Sequence, residues 1–403
     1  AGSGVVTVTT QAAHGAITGD FVTLASLTAT DGITTGQLNK EHTIASVPST
    51  TTFTIDTGGS ASSGGVAGGG SSGTAAFQVN VGLNTTVLGA GWGAGTWGRF
   101  TWGSAAGSLS GQTLRLFFVD NFGEDLIFNI SDGSIFYWDA TNGTSTRAVA
   151  LTSLTGASDV PTVARKVLVS DVDRHVIVFG CNPIGSAVLD PLLIRFGSQE
   201  SVTDFTPTAT NTAGDLRLSK GSEIITAVQT SRQILVFTDQ SLYSMQFIGA
   251  PFTFGISLLG DNIRIAGPNT AIAVNDVVFW MGQENFYLYD GRVQPLKCDV
   301  RKYVFNDFNI LQYDQVHSGT NESFHEIWWY YCTSNSNDID RYVIYNYMEK
   351  TWYYGSLGRT AWLDSGLRKN PLAATYNNVL VNHELGVDDK ETATTAAIAA
   401  HIV

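Results

Sequence analysis

Short apolar runs recur along the chain, each bracketed by turn-forming residues. They are Leu126-Ile127-Phe128, Val176-Ile177-Val178-Phe179, Ile234-Leu235-Val236-Phe237, Val277-Val278-Phe279-Trp280, Ile327-Trp328-Trp329-Tyr330 and Val379-Leu380-Val381. Most are entered from a polar pair such as Glu124-Asp125, Arg174-His175, Arg232-Gln233, Asn275-Asp276 or His325-Glu326, as a strand entering a sheet from solvent would be. A second, aromatic strand often answers the first after a short turn: Ile135-Phe136-Tyr137-Trp138-Asp139, Leu242-Tyr243-Ser244-Met245, Phe286-Tyr287-Leu288-Tyr289-Asp290 and Tyr342-Val343-Ile344-Tyr345. Asp132-Gly133 and Thr238-Asp239 are the turns expected between such arms. The spacing of the runs is roughly 50 residues, which suits one four-stranded unit of a repeat architecture. Such a unit is a small antiparallel sheet that cannot bury both faces alone, and radial stacking of about five to seven of them makes a β-propeller. The expected fold class is all-β with a propeller body; a pair of β-sandwiches is the competing architecture.

The first 57 residues alternate Val, Ile and Phe with Thr, as in Val6-Thr7-Val8 and Phe53-Thr54-Ile55, and predict a small separate β module. A Gly/Ser tract follows from Gly58 to Gly73, read as a linker too polar and flexible to pack. The expected organisation is therefore a module over 1–57, a linker over 58–76 and the propeller body over 77–403. The Ala-rich stretch from Glu391 to His401 is the best helical candidate. The chain opens without Met, inside what reads as the strand Val5 to Thr10, and its ending looks cut, so an internal portion of a longer product is expected.

Composition narrows the function classes. Of 403 residues, 43% are hydrophobic and 14% charged, with 43 glycines, a strand-and-turn composition. Lys and Arg number 22 against 35 Asp and Glu, a formal charge of -13, which argues against gripping nucleic acid through its phosphates. An acidic passage would instead repel DNA and let it slide, although plain solubility accounts for the same charge. Cys181, Cys298 and Cys332 are odd in number and far apart, so they give no disulfide framework and no zinc-ligand spacing, and they fit assembly in a reducing cytoplasm. No apolar run reaches the roughly 20 residues of a helical membrane span.

Few motifs suggest chemistry. Gly93-Ala94-Gly95-Thr96-Trp97-Gly98 matches the dinucleotide-binding glycine pattern, but the strand-like Arg99-Phe100-Thr101-Trp102 follows where a helix is needed. The loop from Gly89 to Gly103, with Trp92, Trp97 and Trp102, reads instead as aromatic packing in a core or at a subunit contact. Asp171 with Asp173, or Glu124 with Asp125, could form a glycosidase pair, yet neighbouring acids in turns are commonplace. The seven histidines form no metal-binding motif, and neither a nucleophile elbow nor a phosphate-binding lysine loop is present. The patch Trp328-Trp329-Tyr330-Tyr331 with Tyr345, Tyr347, Trp352, Tyr353 and Tyr354 could stack sugars or bases, but alternating strand aromatics more often pack one sheet on the next. Catalytic, cofactor-binding and metal-ligating residues are therefore expected to be none, and the protein is expected not to be an enzyme.

Several longer stretches resemble tailed-phage proteins. They are Arg195-Phe196-Gly197-Ser198-Gln199-Glu200, Asp204 through Asp215, Ile234 through Gly249, Asn275 through Gly282, and Phe286 through Val293. The likeness covers roughly Phe77 to His383 and is to the tail-nozzle, or packaged-DNA-stabilisation, proteins of short-tailed phages. The segment Val5 to Ile55 is similar to small β modules inserted into many phage tail proteins. The resemblance implies a virion structural protein: a propeller-bearing subunit in a hexameric ring or tube below the portal and adaptor, assembled in the host cytoplasm. There it would meet tail adaptor or connector proteins and tail fibres, retain packaged DNA and conduct it during ejection, with no catalytic residues or cofactor. A receptor-binding or polysaccharide-cleaving tail protein is the alternative.

Overall fold

The computed structural model describes residues 2–14, 16, 18–64, 68–70, 72–78, 85–86, 114–144, 146–249, 252–366, 368–389 and 396–397. The chain divides into two compact units, Ala1–Gly82 and Leu83–Val403.

In the first unit, β1 (Val5–Thr9), β2 (Phe21–Ala25), β3 (Glu41–Ser49), β4 (Thr52–Asp56) and β5 (Thr74–Gln78) form one antiparallel sheet in the order β1-β4-β3-β2-β5. One face buries Val22, Leu24, Ile44, Phe53 and Ile55, as the period-two alternation requires. The short helix α1 (Thr35–Leu38) starts with a capping box between Thr34 and Gln37 and places Leu38 in the core. The module is longer than the expected 1–57. Strand β5 pairs along the whole of β2, and its Phe77 ring meets Phe53 edge-on at 5.5 Å. Nor does the whole Gly/Ser tract run free. Ala61 exchanges backbone hydrogen bonds with Gly2 and Ser3, Ser62 N–H donates to the Asp31 carbonyl, and Thr28 N–H donates to that of Gly69. A polar tract packs here because its backbone donors and acceptors find partners along the sheet.

The second unit is a series of antiparallel meanders, each strand paired with the next in sequence. The first sheet holds β6 (Phe117–Phe122), β7 (Asp125–Ile130), β8 (Ile135–Trp138) and β9 (Val149–Ala150). The second holds β10 (Ala164–Val169), β11 (Val176–Cys181), β12 (Asp190–Phe196) and β13 (Gly214–Arg217). The third holds β14 (Ile224–Gln229), β15 (Ile234–Thr238), β16 (Ser241–Gly249) and β17 (Thr253–Asp261). The fourth holds β18 (Ala271–Val274), β19 (Val277–Met281), β20 (Phe286–Tyr289) and β21 (Val293–Pro295). The fifth holds β22 (His317–Asn321), β23 (Glu326–Tyr331), β24 (Arg341–Asn346) and β25 (Thr351–Gly355). A sixth, three-stranded sheet holds β26 (Ala361–Leu363), β27 (Leu372–Ala374) and β28 (Leu380–Asn382). The fold class is therefore all-β, with repeated four-stranded antiparallel sheets. The remaining labelled elements are the one-turn helix α2 (Arg301–Phe305) and the two-residue strands β29 (Asp388–Asp389) and β30 (Ala396–Ala397).

The sheets stack through their faces, and the first strand of each lies beside the first strand of the next from β10 to β26. Strand β11 is buried at all six positions and β15 at all five, because both faces are covered by neighbouring sheets. Ile177 and Phe179 turn toward the third sheet while Val176 and Val178 turn toward the first. In β23, Trp329 and Tyr331 pack with the fourth sheet while Trp328 and Tyr330 pack with the sixth. The apolar run Val379-Leu380-Val381 falls on β28, the last strand of its sheet, where Leu380 is 73% exposed. One expectation fails. The Ala-rich end is not helical where it is described, since Ala396 and Ala397 pair with Asp389 and Asp388. Two alanines in a ladder take their conformation from the partner strand, not from propensity.

Candidate functional site

The first strands of the sheets, which lie side by side, carry charged and polar side chains that reach from one sheet to the next. Arg165 on β10 projects from the second sheet. Its Nε donates to Asp132 Oδ1 at 2.9 Å and its Nη2 to Asp132 Oδ2 at 3.1 Å, a two-pronged grip on the β7–β8 turn of the first sheet. Its Nη1 donates to Glu223 and, at 3.3 Å, to the Ile224 carbonyl at the start of the third sheet. One guanidinium thus ties three sheets together. The next residue, Lys166, sends its ammonium to Thr226 Oγ1 at 2.9 Å and to the Ala227 carbonyl at 2.8 Å, with the Phe118 ring 5.1 Å away. Burial pulls its pKa down to about 8, against the opposing pull of Asp120.

The free edge of β10 is satisfied by one backbone bond, Ala164 N–H to the Gly133 carbonyl at 2.9 Å, and otherwise by side chains. Asn129, fully buried, donates from Nδ2 to the Ala164 and Arg165 carbonyls at 3.0 Å and accepts from Val167 N–H at 2.9 Å. Asp120 accepts from Val169 N–H at 2.8 Å. Burial raises the Asp120 pKa, with this hydrogen bond opposing it. An inner strand can thus be stacked on its neighbours and still keep its backbone groups paired.

Asp314 and Gln312 precede the fifth sheet and hold Thr86. Gln312 accepts from Thr86 N–H at 3.0 Å, and Thr86 Oγ1 donates to Asp314 Oδ2 at 3.4 Å. Burial raises the Asp314 pKa, partly offset by Thr86 and by the field of Arg165, which reaches it from the second sheet. His317 opens β22, stacks on Tyr330 at 5.0 Å and holds its Nδ1 3.2 Å from the Gln315 carbonyl. Burial pulls its pKa down to about 4. Beside these residues lies a cavity of about 280 Å³ lined by Leu114 and Leu116 ahead of the first sheet, Asn269 ahead of the fourth, His317 of the fifth, and Thr360, Thr375 and Tyr376 at the sixth. The segment leading into the first sheet therefore lies beside the sixth.

Of the carboxylates considered as catalytic pairs, Asp125 and Asp173 make contacts within the first and second sheets. Asp125 accepts from the Tyr137 hydroxyl and from Ala140 N–H, fixing the first sheet's outer turn. Asp173 is buried beside Ser170 in the β10–β11 turn, and Asp171 stands exposed next to it. The aromatic patch is divided between faces. Trp329, Tyr330 and Tyr331 are buried between sheets, whereas Tyr353 and Tyr354 are about half exposed on the edge strand β25. Gly93–Gly98, Trp92, Trp97 and Trp102 lie outside the described residues. Burial pushes the thiols of Cys181, Cys298 and Cys332 up to about 12, so none offers a thiolate at neutral pH. Among the described residues no group of His, Cys, Asp and Glu side chains is arranged to hold a metal ion, and no helix is long and apolar enough to cross a membrane.

Arg165, Asn129, Asp314 and His317 were not singled out from sequence. The available signal was a polar residue interrupting an apolar run, as Asn129 does in Leu126-Ile127-Phe128-Asn129-Ile130.

No protein-family model matches the chain, and no curated protein matches it. Among solved structures, the extracellular domain of a one-component system from B. thetaiotaomicron aligns at TM-score 0.42 and 12% identity, covering 71% of this chain and 33% of that one. Hsv2 from Kluyveromyces marxianus aligns at TM-score 0.40 and 7% identity over 71% of this chain and 82% of its own. A chain of the mitotic checkpoint complex aligns at TM-score 0.42 and 14% identity over 65% and 71%. The chain thus spans about a third of the first of these and most of the other two. Likenesses at this level assign neither a family nor a function.

Proposed function

We propose that the second unit is a β-propeller and that the protein is a structural component of a bacteriophage tail, a nozzle or tube subunit that closes the tail channel, retains packaged DNA and conducts it during ejection. The observation that carries the propeller is the convergence of inner ends. Arg165 spans the first three sheets, its field reaches Asp314, and one cavity gathers segments belonging to the first, fourth, fifth and sixth. Serial four-stranded meanders with their first strands side by side are what radial stacking requires. The phage assignment is supported by the sequence resemblance over Phe77 to His383. A mechanical role is further supported by side chains whose polar groups are spent on joining sheets. A chain with 13 more acidic than basic residues would let DNA pass without holding it. Self-association into a ring, contacts with adaptor proteins and fibres, and location in the virion belong to the same proposal. Electron microscopy of virions, with antibody labelling of this chain, tests it: label at the tail tip supports the role, and label on the capsid or on none of the particles refutes it.

A second reading has one observation in its favour. The Tyr303 and Tyr354 ring centroids lie 4.3 Å apart at the surface, an aromatic pair of the kind that stacks on sugar rings. Release of sugar from host envelope polysaccharide, lost on changing one acid pair, would favour receptor binding or glycan cleavage over the nozzle role.

A further inference from the structure

The cavity beside His317 has a volume of about 280 Å³, at the small end of the range that ligand pockets span. Several hydrogen-bond donors on its wall are already engaged within the protein. The Tyr376 hydroxyl donates to Gln315 Oε1 at 3.1 Å and accepts from Ile339 N–H at 2.6 Å. Gln315 Nε2 donates to Gln312 Oε1 at 2.8 Å and to the Asn337 carbonyl at 2.6 Å. Thr375 Oγ1 donates to the Val379 carbonyl at 3.3 Å. These three side chains therefore have no hydrogen left for a ligand. Thr360 and Asn378, which also line the cavity, are exposed and stand at its rim.

The buried acceptors on the same wall are less occupied. Asp314 is 7% exposed, and its Oδ2 accepts one long bond, from Thr86 Oγ1 at 3.4 Å. His317 is 8% exposed and holds Nδ1 3.2 Å from the Gln315 carbonyl, which can only accept, so Nδ1 carries the proton and Nε2 is a bare lone pair. That Nε2 is buried and, among the described residues, meets no donor. Burial keeps the ring neutral down to about pH 4, so the lone pair is present throughout the neutral range. No Lys or Arg among the described residues lines the cavity, and Leu114, Leu116 and Ile339 give it an apolar side. An anion would meet a carboxylate there and no cation. A sugar hydroxyl needs donors as well as acceptors, and the buried wall offers mainly acceptors. A primary ammonium presents three donors and no acceptor, and its charge matches Asp314.

We propose that this cavity binds a primary aliphatic amine in its ammonium form, with N–H groups donating to the Asp314 carboxylate and to His317 Nε2 and the hydrocarbon stem lying on Leu114, Leu116 and Ile339. Burial disfavours the charged form of Asp314, and a bound cation favours it, so ligand and carboxylate stabilise each other. This binding site does not depend on the tail role.

Saturation-transfer NMR of the full-length protein with n-butylammonium chloride tests it, in about 0.15 M salt so that attraction to the chain's overall charge is screened. Binding with a Kd of about 1 mM is expected for so small a probe. Butyrate has the wrong charge, n-butanol has no charge and a single donor, and tetramethylammonium has the charge and no donor; each should bind about tenfold more weakly or not at all. Asp314→Asn keeps the shape and removes the charge, and should weaken n-butylammonium about tenfold. His317→Phe keeps a ring on Tyr330 and removes the lone pair, and should weaken it about threefold; it stands in if circular dichroism shows Asp314→Asn unfolded. Asp171→Asn removes one charge at an exposed turn and should leave binding unchanged. The site is overturned if n-butylammonium gives no transfer at about 10 mM, if n-butanol or butyrate binds as tightly, or if Asp314→Asn and His317→Phe both bind it as the wild type does. Equal weakening by Asp171→Asn would also overturn it, since the probe would then be reading overall charge.

Discussion

Trp329 gives a quantitative test of sheet-on-sheet packing. The residue is fully buried on β23, and its ring lies 4.9 Å from Phe286 of the fourth sheet and 6.2 Å from Trp352 of its own. Its indole N–H donates to the Thr270 carbonyl at 2.9 Å, immediately before β18. Trp329→Ala removes the ring from between two sheets that cannot close the gap without shifting other contacts, at a cost of about 3–5 kcal/mol. The lost hydrogen bond adds little, because the Thr270 carbonyl still accepts from Met281 N–H at 3.3 Å. Trp329→Phe keeps most of the ring and should cost about 1–2 kcal/mol, mainly the buried area that the smaller ring gives up. With a urea slope of about 3 kcal/mol per molar, the Ala variant should unfold about 1–1.7 M earlier than wild type and the Phe variant about 0.3–0.7 M earlier. The assay is urea unfolding followed by far-ultraviolet circular dichroism. If Trp329→Ala shifts the midpoint by no more than Trp329→Phe, the ring is not packed between two sheets, and the stacking argument fails at that seam.

Three further outcomes are expected. His317 keeps its proton in the unfolded chain up to about pH 6.5 but, once folded, loses it above about 4. The unfolded state therefore binds more protons in that window, and stability present above pH 6.5 should be lost as pH falls toward 4, by at most about 3 kcal/mol. His317→Asn should flatten the pH dependence of the urea midpoint there, and an unchanged slope would refute the assignment. At Gly319 a Cβ would lie 2.2 Å from Trp362 Cδ1, so Gly319→Ala should push Trp362 off Trp328. That overpacking should cost about 1–3 kcal/mol and shift tryptophan fluorescence, whereas Gly36→Ala, with open space around its Cβ, should leave the emission unchanged. Arg165→Met leaves Asp132 and Glu223 without their shared cation; both carboxylates are partly exposed, so calorimetry should find a loss of about 1–2 kcal/mol and not the larger penalty of a buried orphan charge.

The repeat was legible because second strands such as β11, β15, β19 and β23 are covered on both faces, and sheet-on-sheet stacking writes that directly as continuous apolar runs. Inner strands were not. β22 reads His317-Ser318-Gly319-Thr320-Asn321, which looks like a turn, yet it is a strand because β23 pairs with every one of its residues. Of its polar side chains, Ser318 Oγ donates to the Asn269 carbonyl and His317 stacks on Tyr330. β5 was hidden behind a glycine-rich stretch whose partners lie far away in sequence. The joining residues escaped notice for a related reason. Asn129 and Arg165 act on neighbouring sheets, and their partners are set by stacking, which spacing along the chain does not encode. The exposure of Phe117 and Val119 is not legible in the sequence, since their side chains are as apolar as those of core positions.

The most direct test of the central claim is cryo-electron microscopy of the full-length protein at high concentration, alongside intact virions. The account predicts a closed ring of propeller-bearing subunits around a lumen wide enough for duplex DNA, with the same ring at the tail tip. Monomers at every concentration, or peripheral trimers with an open acid-lined groove, would contradict it.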